Sequence, residues 1–99
     1  MAAGIYKYFS QCRDFGFKDQ ITRIALSIPS NIAEGFERGS KKYKKRFLVY
    51  FISSCAELIT QIYIGIDVKY IDKKNGFEWV KKLNELINIK MLKILNKNI

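Results

Sequence analysis

Apolar residues recur at spacings of three and four along most of the chain, a pattern that predicts helices rather than strands. The clearest series predicts the second helix and comprises Phe17, Ile21, Ile24, Ala25, Ile28 and Ile32. A shorter helix-compatible segment, residues 3–12, precedes it. The intervening RDFG (13–16) breaks the pattern, and Asp14 or Asp19 can cap the second helix.

The only proline interrupts this second helix at Pro29. Proline leaves the carbonyl of Ala25 without its helical donor, so we expect a kinked helix that continues past it. Ser30 or Asn31 then satisfies the freed backbone. The helix ends near Gly35–Gly39, because glycine readily adopts the conformation that terminates helices.

The third predicted helix, about 41–68 and capped by Ser40, carries two apolar stripes. The core stripe comprises Tyr43, Phe47, Phe51, Ser54, Leu58, Ile62 and Gly65. The second comprises Val49, Ile52, Ala56, Ile59, Tyr63 and Ile66 and lies well over 90° away at about 100° per residue. A helix that is apolar on two faces needs two burial partners. We therefore take Val49, Ile52, Ala56, Ile59 and Tyr63 as a candidate subunit interface.

A fourth helix is predicted from Asp72 or Asn75 to Asn96. Its core face comprises Phe77, Val80, Leu83, Ile87 and Ile94, and lysines line much of the remainder. Neither an internal repeat nor a linker divides the chain. The sequence therefore predicts an all-α protein, one four-helix bundle domain over residues 1–99.

Charge points to a class of partner. The 99 residues carry 18 Lys and Arg against 9 Asp and Glu, a formal net charge of +9. Nucleic acid is the first candidate for such a protein, and an anionic membrane surface the second. The basic residues concentrate before and within the start of the third helix, at Arg38, Lys41, Lys42, Lys44, Lys45 and Arg46. Like charges there oppose the helix dipole, which favours a binding role over a simple solvated surface.

Residue types that catalyse reactions or hold cofactors are scarce. The chain has no histidine, and Cys12 and Cys55 are its only cysteines. We expect both to be free, buried thiols of a cytoplasmic protein. No metal site, cofactor or catalytic residue is predicted. An apolar run of bilayer length and a signal peptide are both missing, so no membrane association is expected.

Several segments together resemble the four-helix bundle family of 23S rRNA intervening-sequence proteins. They are FGFKDQITRIALSIPSNIAEGFERGSKK (15–42), FL (47–48), CAEL (55–58), QIYI (61–64) and D-x-x-Y-I (67–71). The SIPSNIAEG block is the most specific of them. Some members of this family are encoded in insertions within bacterial rRNA genes. The family in turn is similar to the accessory variability protein of diversity-generating retroelements, a basic oligomer that binds nucleic acid.

The resemblance implies an antiparallel up-down bundle that assembles as a ring, typically a homopentamer, with no enzyme activity. Relatives have a longer first helix, so it also implies that the first helix here is truncated at its N-terminus. Two functional hypotheses follow. One is an oligomer that binds RNA or DNA through the basic residues. The other is a structural or adaptor ring that binds another protein and has no nucleic-acid role.

Overall fold

The protein is built from helices joined by short connections. A computed structural model describes the backbone of residues 2–37 and 41–97 and the side chains of residues 3–32 and 45–91. Its elements are α1 (Ala2–Tyr8), a 3₁₀ turn (Phe9–Gln11), α2 (Phe15–Glu37), α3 (Lys41–Asp67) and α4 (Lys73–Lys97). No strand occurs within the described backbone. The predicted all-α, four-helix fold is therefore confirmed, with a first helix of only seven residues.

Helix α3 occupies the centre, packed against α2 on one side and α4 on the other. Two contacts show that α2 and α3 are antiparallel. The Asn31 amide donates to the Ser54 hydroxyl at 3.3 Å. Near the opposite ends of the two helices, the rings of Phe17 and Tyr70 meet edge to face with centroids 5.2 Å apart. The molecule is 45 Å long, in keeping with a 27-residue α3 that rises about 1.5 Å per residue.

The core follows the periodic apolar positions of the sequence. Its buried residues are Ile5, Phe9, Ile21, Ala25, Phe51, Cys55, Leu58, Ile62, Ile71, Val80 and Leu83. Helix α3 supplies the largest share of them, which its central position explains. Burial of these side chains is the main source of stability, at about 1.5–3 kcal/mol for each large one.

Two glycines allow close contacts around the end of α3. A Cβ at Gly65 would lie 2.5 Å from Ile71 Cδ1 and 2.9 Å from the Phe17 ring. A Cβ at Gly76 would overlap the side chain of Ile66. A larger residue at either position would force these neighbouring side chains to shift.

Helix α2 continues through Pro29 to Glu37, as expected. The hydrogen bonds of Ser30 and Asn31 differ from those predicted around the proline, however. The Ser30 hydroxyl donates to the carbonyl of Leu26 at 3.0 Å, and Asn31 bonds to Ser54 on α3. Both side chains that we assigned to the Ala25 carbonyl are therefore bonded elsewhere.

Candidate nucleic-acid interface

The basic residues lie at and just before the start of α3. Arg38 falls outside the described residues. Lys41, Lys42 and Lys44 belong to the first turns of α3, and their side chains also fall outside the described part. Lys45 and Arg46 are described, and both side chains are exposed to solvent. The structure thus places the described end of the predicted site on the protein surface.

The electrostatic setting of this segment is unfavourable for cations. The first turn of α3 contains no acidic residue. A helix N-terminus carries a partial positive charge, so neighbouring lysines are destabilised there, whereas an anion would be stabilised. Within the described part of the chain, Arg46 makes no ion pair; the ion pairs that are seen join Arg23 to Asp19 and Lys82 to Glu78.

Helical register separates the two described cations. At about 100° per residue, Lys45 shares a side of α3 with Val49, whereas Arg46 shares another side with Tyr50. Tyr50 is 48% exposed. Its ring meets that of Phe47 edge to face, with centroids 5.9 Å apart and planes at 84°. Tyr50 is thus half accessible and lies one helical turn from Arg46.

The second apolar stripe of α3 is divided by the fold. Ile52 and Ile59 are partly buried against the protein's own core. Val49 and Tyr63 remain 47% and 49% exposed, and Ala56 is exposed as well. Two members of the predicted interface stripe are therefore partly covered within the chain itself. The outer residues of the stripe still lie open to solvent.

Helix α4 widens this exposed apolar surface. We expected Phe77 on the core face of α4, but it is 50% exposed. Its ring packs against that of Tyr63 at a centroid distance of 6.4 Å. Met91, two heptads further along α4, is also exposed. We call Val49, Ala56, Tyr63, Phe77 and Met91 the outer apolar face. The sequence analysis assigned Phe77 to the core face and made no assignment for Met91.

Two aspartates cap helices at the far end of α3 and each binds a tyrosine. Asp14 accepts from the backbone N–H of Phe17 at 3.1 Å and from the Tyr70 hydroxyl at 2.8 Å. Asp72 accepts from the N–H of Asn75 at 3.0 Å and from the Tyr8 hydroxyl, also at 3.0 Å. The capping role of Asp14 was among the sequence predictions. Its tyrosine partner is 56 residues away and carries no local sequence signal.

These hydrogen bonds change proton affinities. The Phe17 N–H and then the Tyr70 hydroxyl hold the pKa of Asp14 below its usual value. The Asn75 backbone and side-chain donors, joined by Tyr8, lower the pKa of Asp72 in the same way. The hydrogen bond to Asp14, and then the negative charge of that carboxylate, raise the pKa of Tyr70 in return. These groups stabilise helix ends and lie far along α3 from the basic residues.

Neither the cysteines nor the potential metal ligands form a candidate site within the described part of the chain. Both cysteines are free: Cys55 is buried, whereas Cys12 is half-buried and lies after the 3₁₀ turn. Burial raises the pKa of the Cys55 thiol to about 11. Among the described residues, no three His, Cys, Asp or Glu side chains are grouped as metal ligands would be.

One helix is long and apolar enough to cross a membrane. By length and composition alone, Lys45–Asp67 of α3 meets that criterion, with a mean hydropathy of 1.5. The sequence prediction that no segment reaches bilayer length is therefore wrong on this measure. Mostly buried core helices of soluble proteins meet the same criterion, whereas 22% of this window is buried in the protein.

Comparison with known proteins identifies the family. Searches of curated proteins and of solved structures return no match. The family model described as 23S rRNA-intervening sequence protein matches residues 1–93. That range includes α1, α2, α3, their connections and most of α4. The chain therefore belongs to the 23S rRNA-intervening sequence protein family.

Proposed function

We propose that this protein is a non-catalytic homo-oligomer that binds RNA through the basic residues from Arg38 to Arg46. Its gene context would be an rRNA intervening sequence or a similar insertion. One observation carries the proposal: α3 begins with a lysine-rich segment whose described members, Lys45 and Arg46, are exposed, in a chain of net charge +9.

Phosphate is the group that this segment suits best. A guanidinium can donate two parallel hydrogen bonds to a phosphate, and ammonium groups add charge without fixed geometry. Arg46 has no ion-pair partner among the described residues, so binding would not require it to leave one. Contacts to phosphates set affinity and position but read little sequence. We therefore expect weak discrimination among RNA sequences.

Assembly would strengthen this interaction. The outer apolar face supports self-association, and the family resemblance favours a homopentameric ring. In a ring, each chain contributes one basic segment at the same height, so one long RNA can contact several of them. Binding at the second segment then becomes intramolecular and raises the overall affinity without any new kind of contact.

Catalysis is not part of the proposal. The chain lacks histidine, the commonest general base, and the Cys55 thiol is buried with a raised pKa. The chain therefore offers neither a histidine base nor, at Cys55, an accessible thiolate nucleophile. With RNA as the proposed ligand, we also expect the protein to be cytoplasmic.

The test measures the salt dependence of RNA binding by fluorescence anisotropy at about 50 and about 200 mM salt. Six phosphate contacts would weaken binding about 10³-fold over that range. The variant carries Lys41→Gln, Lys42→Gln, Lys44→Gln and Lys45→Gln. The matched control carries Lys69→Gln, Lys73→Gln, Lys74→Gln and Lys81→Gln, all of them exposed lysines near or beyond the other end of α3. Each set lowers the formal charge by four, from +9 to +5.

We expect the first variant to lose most of its affinity and several units of salt slope, and the control to lose little. Light scattering must first show that all three proteins have the same oligomer size. Equal losses in both variants would mean that net charge acts without a site. An absence of binding at low salt would overturn the proposal and favour an adaptor role toward another protein.

A further inference from the structure

We propose that Tyr50 stacks on an unpaired base while Arg46 holds a neighbouring phosphate, so that the ligand of the basic segment is single-stranded. This inference rests on the proposed function and specifies its ligand. Nucleic-acid binding by charge alone accepts duplexes and single strands. A stacking residue beside the charges would make the protein prefer the strand whose bases are free.

Tyr50 is presented as a stacking residue needs to be. It is 48% exposed, while the ring that supports it, Phe47, is half-buried. The edge-to-face contact between the two rings, at 5.9 Å, restricts how Tyr50 can turn. An aromatic ring that is already ordered loses little conformational entropy when a base is placed on it.

The other described tyrosines are committed elsewhere or lie apart from the basic segment. The hydroxyls of Tyr8 and Tyr70 donate to Asp72 and Asp14. Tyr63 packs against Phe77 within the outer apolar face. Tyr6 is exposed on α1, whose last residue, Tyr8, binds Asp72 at the far end of α3. Among these residues, Tyr50 alone lies one helical turn from an exposed cation of the basic segment.

Helical spacing brings Arg46 and Tyr50 together. Residues four apart on a helix have Cβ atoms about 5–6 Å apart, and their side chains point to the same side. A guanidinium on a phosphate would therefore leave the tyrosine ring within reach of a base on the same or the next nucleotide. In a duplex the base faces are covered by neighbouring pairs, so only an unpaired base offers a face to Tyr50.

The experiment separates stacking from charge by changing the ligand as well as the protein. Three ligands of about 20 nucleotides are compared by anisotropy: oligouridine, a strand with the same phosphates but abasic residues, and a blunt duplex. The proteins are the full chain, Tyr50→Leu, Tyr50→Phe and a control, Tyr6→Leu. Circular dichroism and light scattering establish that all four proteins share one fold and one oligomer size.

We expect the unmodified protein and Tyr50→Phe to bind oligouridine about five- to a hundredfold more tightly than the abasic strand, since one stacked base is worth that much. Tyr50→Leu should lose this preference while its salt slope stays unchanged, because it loses no phosphate contact. Tyr6→Leu should behave as the unmodified protein does.

Failure of the inference and failure of the proposed function give different results. If Tyr50→Leu keeps the preference for bases, or if the unmodified protein binds all three ligands equally, the stacking role of Tyr50 is overturned and RNA binding by charge survives. If no ligand binds at low salt, the proposed function is overturned and this inference fails with it.

Discussion

Lys69 holds an unusual backbone conformation at the end of α3. Its φ is 67°, and no other described residue except glycine has a positive φ. The N–H of Tyr70 donates to the carbonyl of Gly65 at 2.8 Å, and the N–H of Lys69 donates to Ile66 at 3.1 Å. This is a Schellman end, in which the left-handed residue is usually glycine. A side chain at this position costs energy because its Cβ crowds the backbone.

We therefore predict that Lys69→Gly stabilises the protein by about 0.5–1 kcal/mol, as the relief of backbone strain exceeds the greater entropy of glycine in the unfolded chain. Urea unfolding followed by circular dichroism measures the change. Lys69→Ala is the matched control, since it removes the charge and the long side chain but keeps the Cβ. An equal gain in Lys69→Ala would attribute the effect to charge and contradict this account.

For single residues, the sequence predicted which side of a helix they occupy better than which side chains they contact. Gly65 was assigned to the core stripe of α3, and it is buried there. No role was predicted for Gly76, although the absence of a Cβ there lets α4 pack directly against the Ile66 side chain. Periodicity shows which side of a helix faces inward. It cannot show how near the next helix comes, because that distance depends on the side chains of both helices.

Among the helices, α2 and α4 have the best-defined beginnings. Asp14 caps α2 and Asp72 caps α4, and each carboxylate binds a backbone N–H three residues later. Tyr70, in the α3–α4 connection, reaches back to the cap of α2. Tyr8, at the end of α1, reaches forward to the cap of α4. The two caps therefore join all four helices at one end of the bundle.

This arrangement predicts a loss of stability in acid. The pKa values of Asp14 and Asp72 are lower in the folded protein than the usual value of 3.8. The ionised form is thus favoured by folding. The contribution of the ionised carboxylates to the free energy of unfolding is complete above their pKa in the unfolded chain. It is lost as the pH falls through their pKa in the folded protein. Melting temperature should therefore drop as the pH falls below about 4.

Asn can still accept the cap hydrogen bond but cannot ionise, so the double variant Asp14→Asn, Asp72→Asn should lose part of this dependence. Its melting temperature should change less between neutral pH and acid than that of the unmodified protein. Glu85→Gln, at an exposed position on α4, is the control and should leave the dependence in place. A double variant with the full acid sensitivity would show that other carboxylates are responsible.

The two stripes of α3 show where sequence reasoning about an element reaches its limit. The core stripe of α3 is buried at Phe51, Leu58 and Ile62, as predicted. The second stripe stays a predicted subunit interface, although its members Ile52 and Ile59 are partly buried against the core of the same chain. A helix between two neighbours in one chain gives the same pattern as a helix at a subunit contact.

For the whole molecule, the question is what covers the outer apolar face. Five residues on α3 and α4 expose apolar or aromatic side chains, and two of them, Tyr63 and Phe77, are in contact. Exposed apolar surface of that kind usually marks an interaction site where it is contiguous. Another copy of the chain is the partner that we propose, since closed homo-oligomers are the commonest assemblies. The basic residues beyond Val49 would then lie at the edge of each contact, where they stay accessible to RNA.

We accordingly predict that the protein has several times the chain mass of 11.6 kDa in light scattering, five times if the ring is a pentamer. Val49→Glu combined with Tyr63→Glu should reduce the assembly to single chains, because each glutamate would be buried without a partner in the contact. Leu26→Glu is the control: Leu26 is just as exposed but lies on α2, outside the outer apolar face. Apolar contacts respond little to salt, so the oligomer should persist at about 500 mM salt, at which RNA binding is lost. An oligomer that survives Val49→Glu with Tyr63→Glu but dissociates with Leu26→Glu would move the subunit contact to α2.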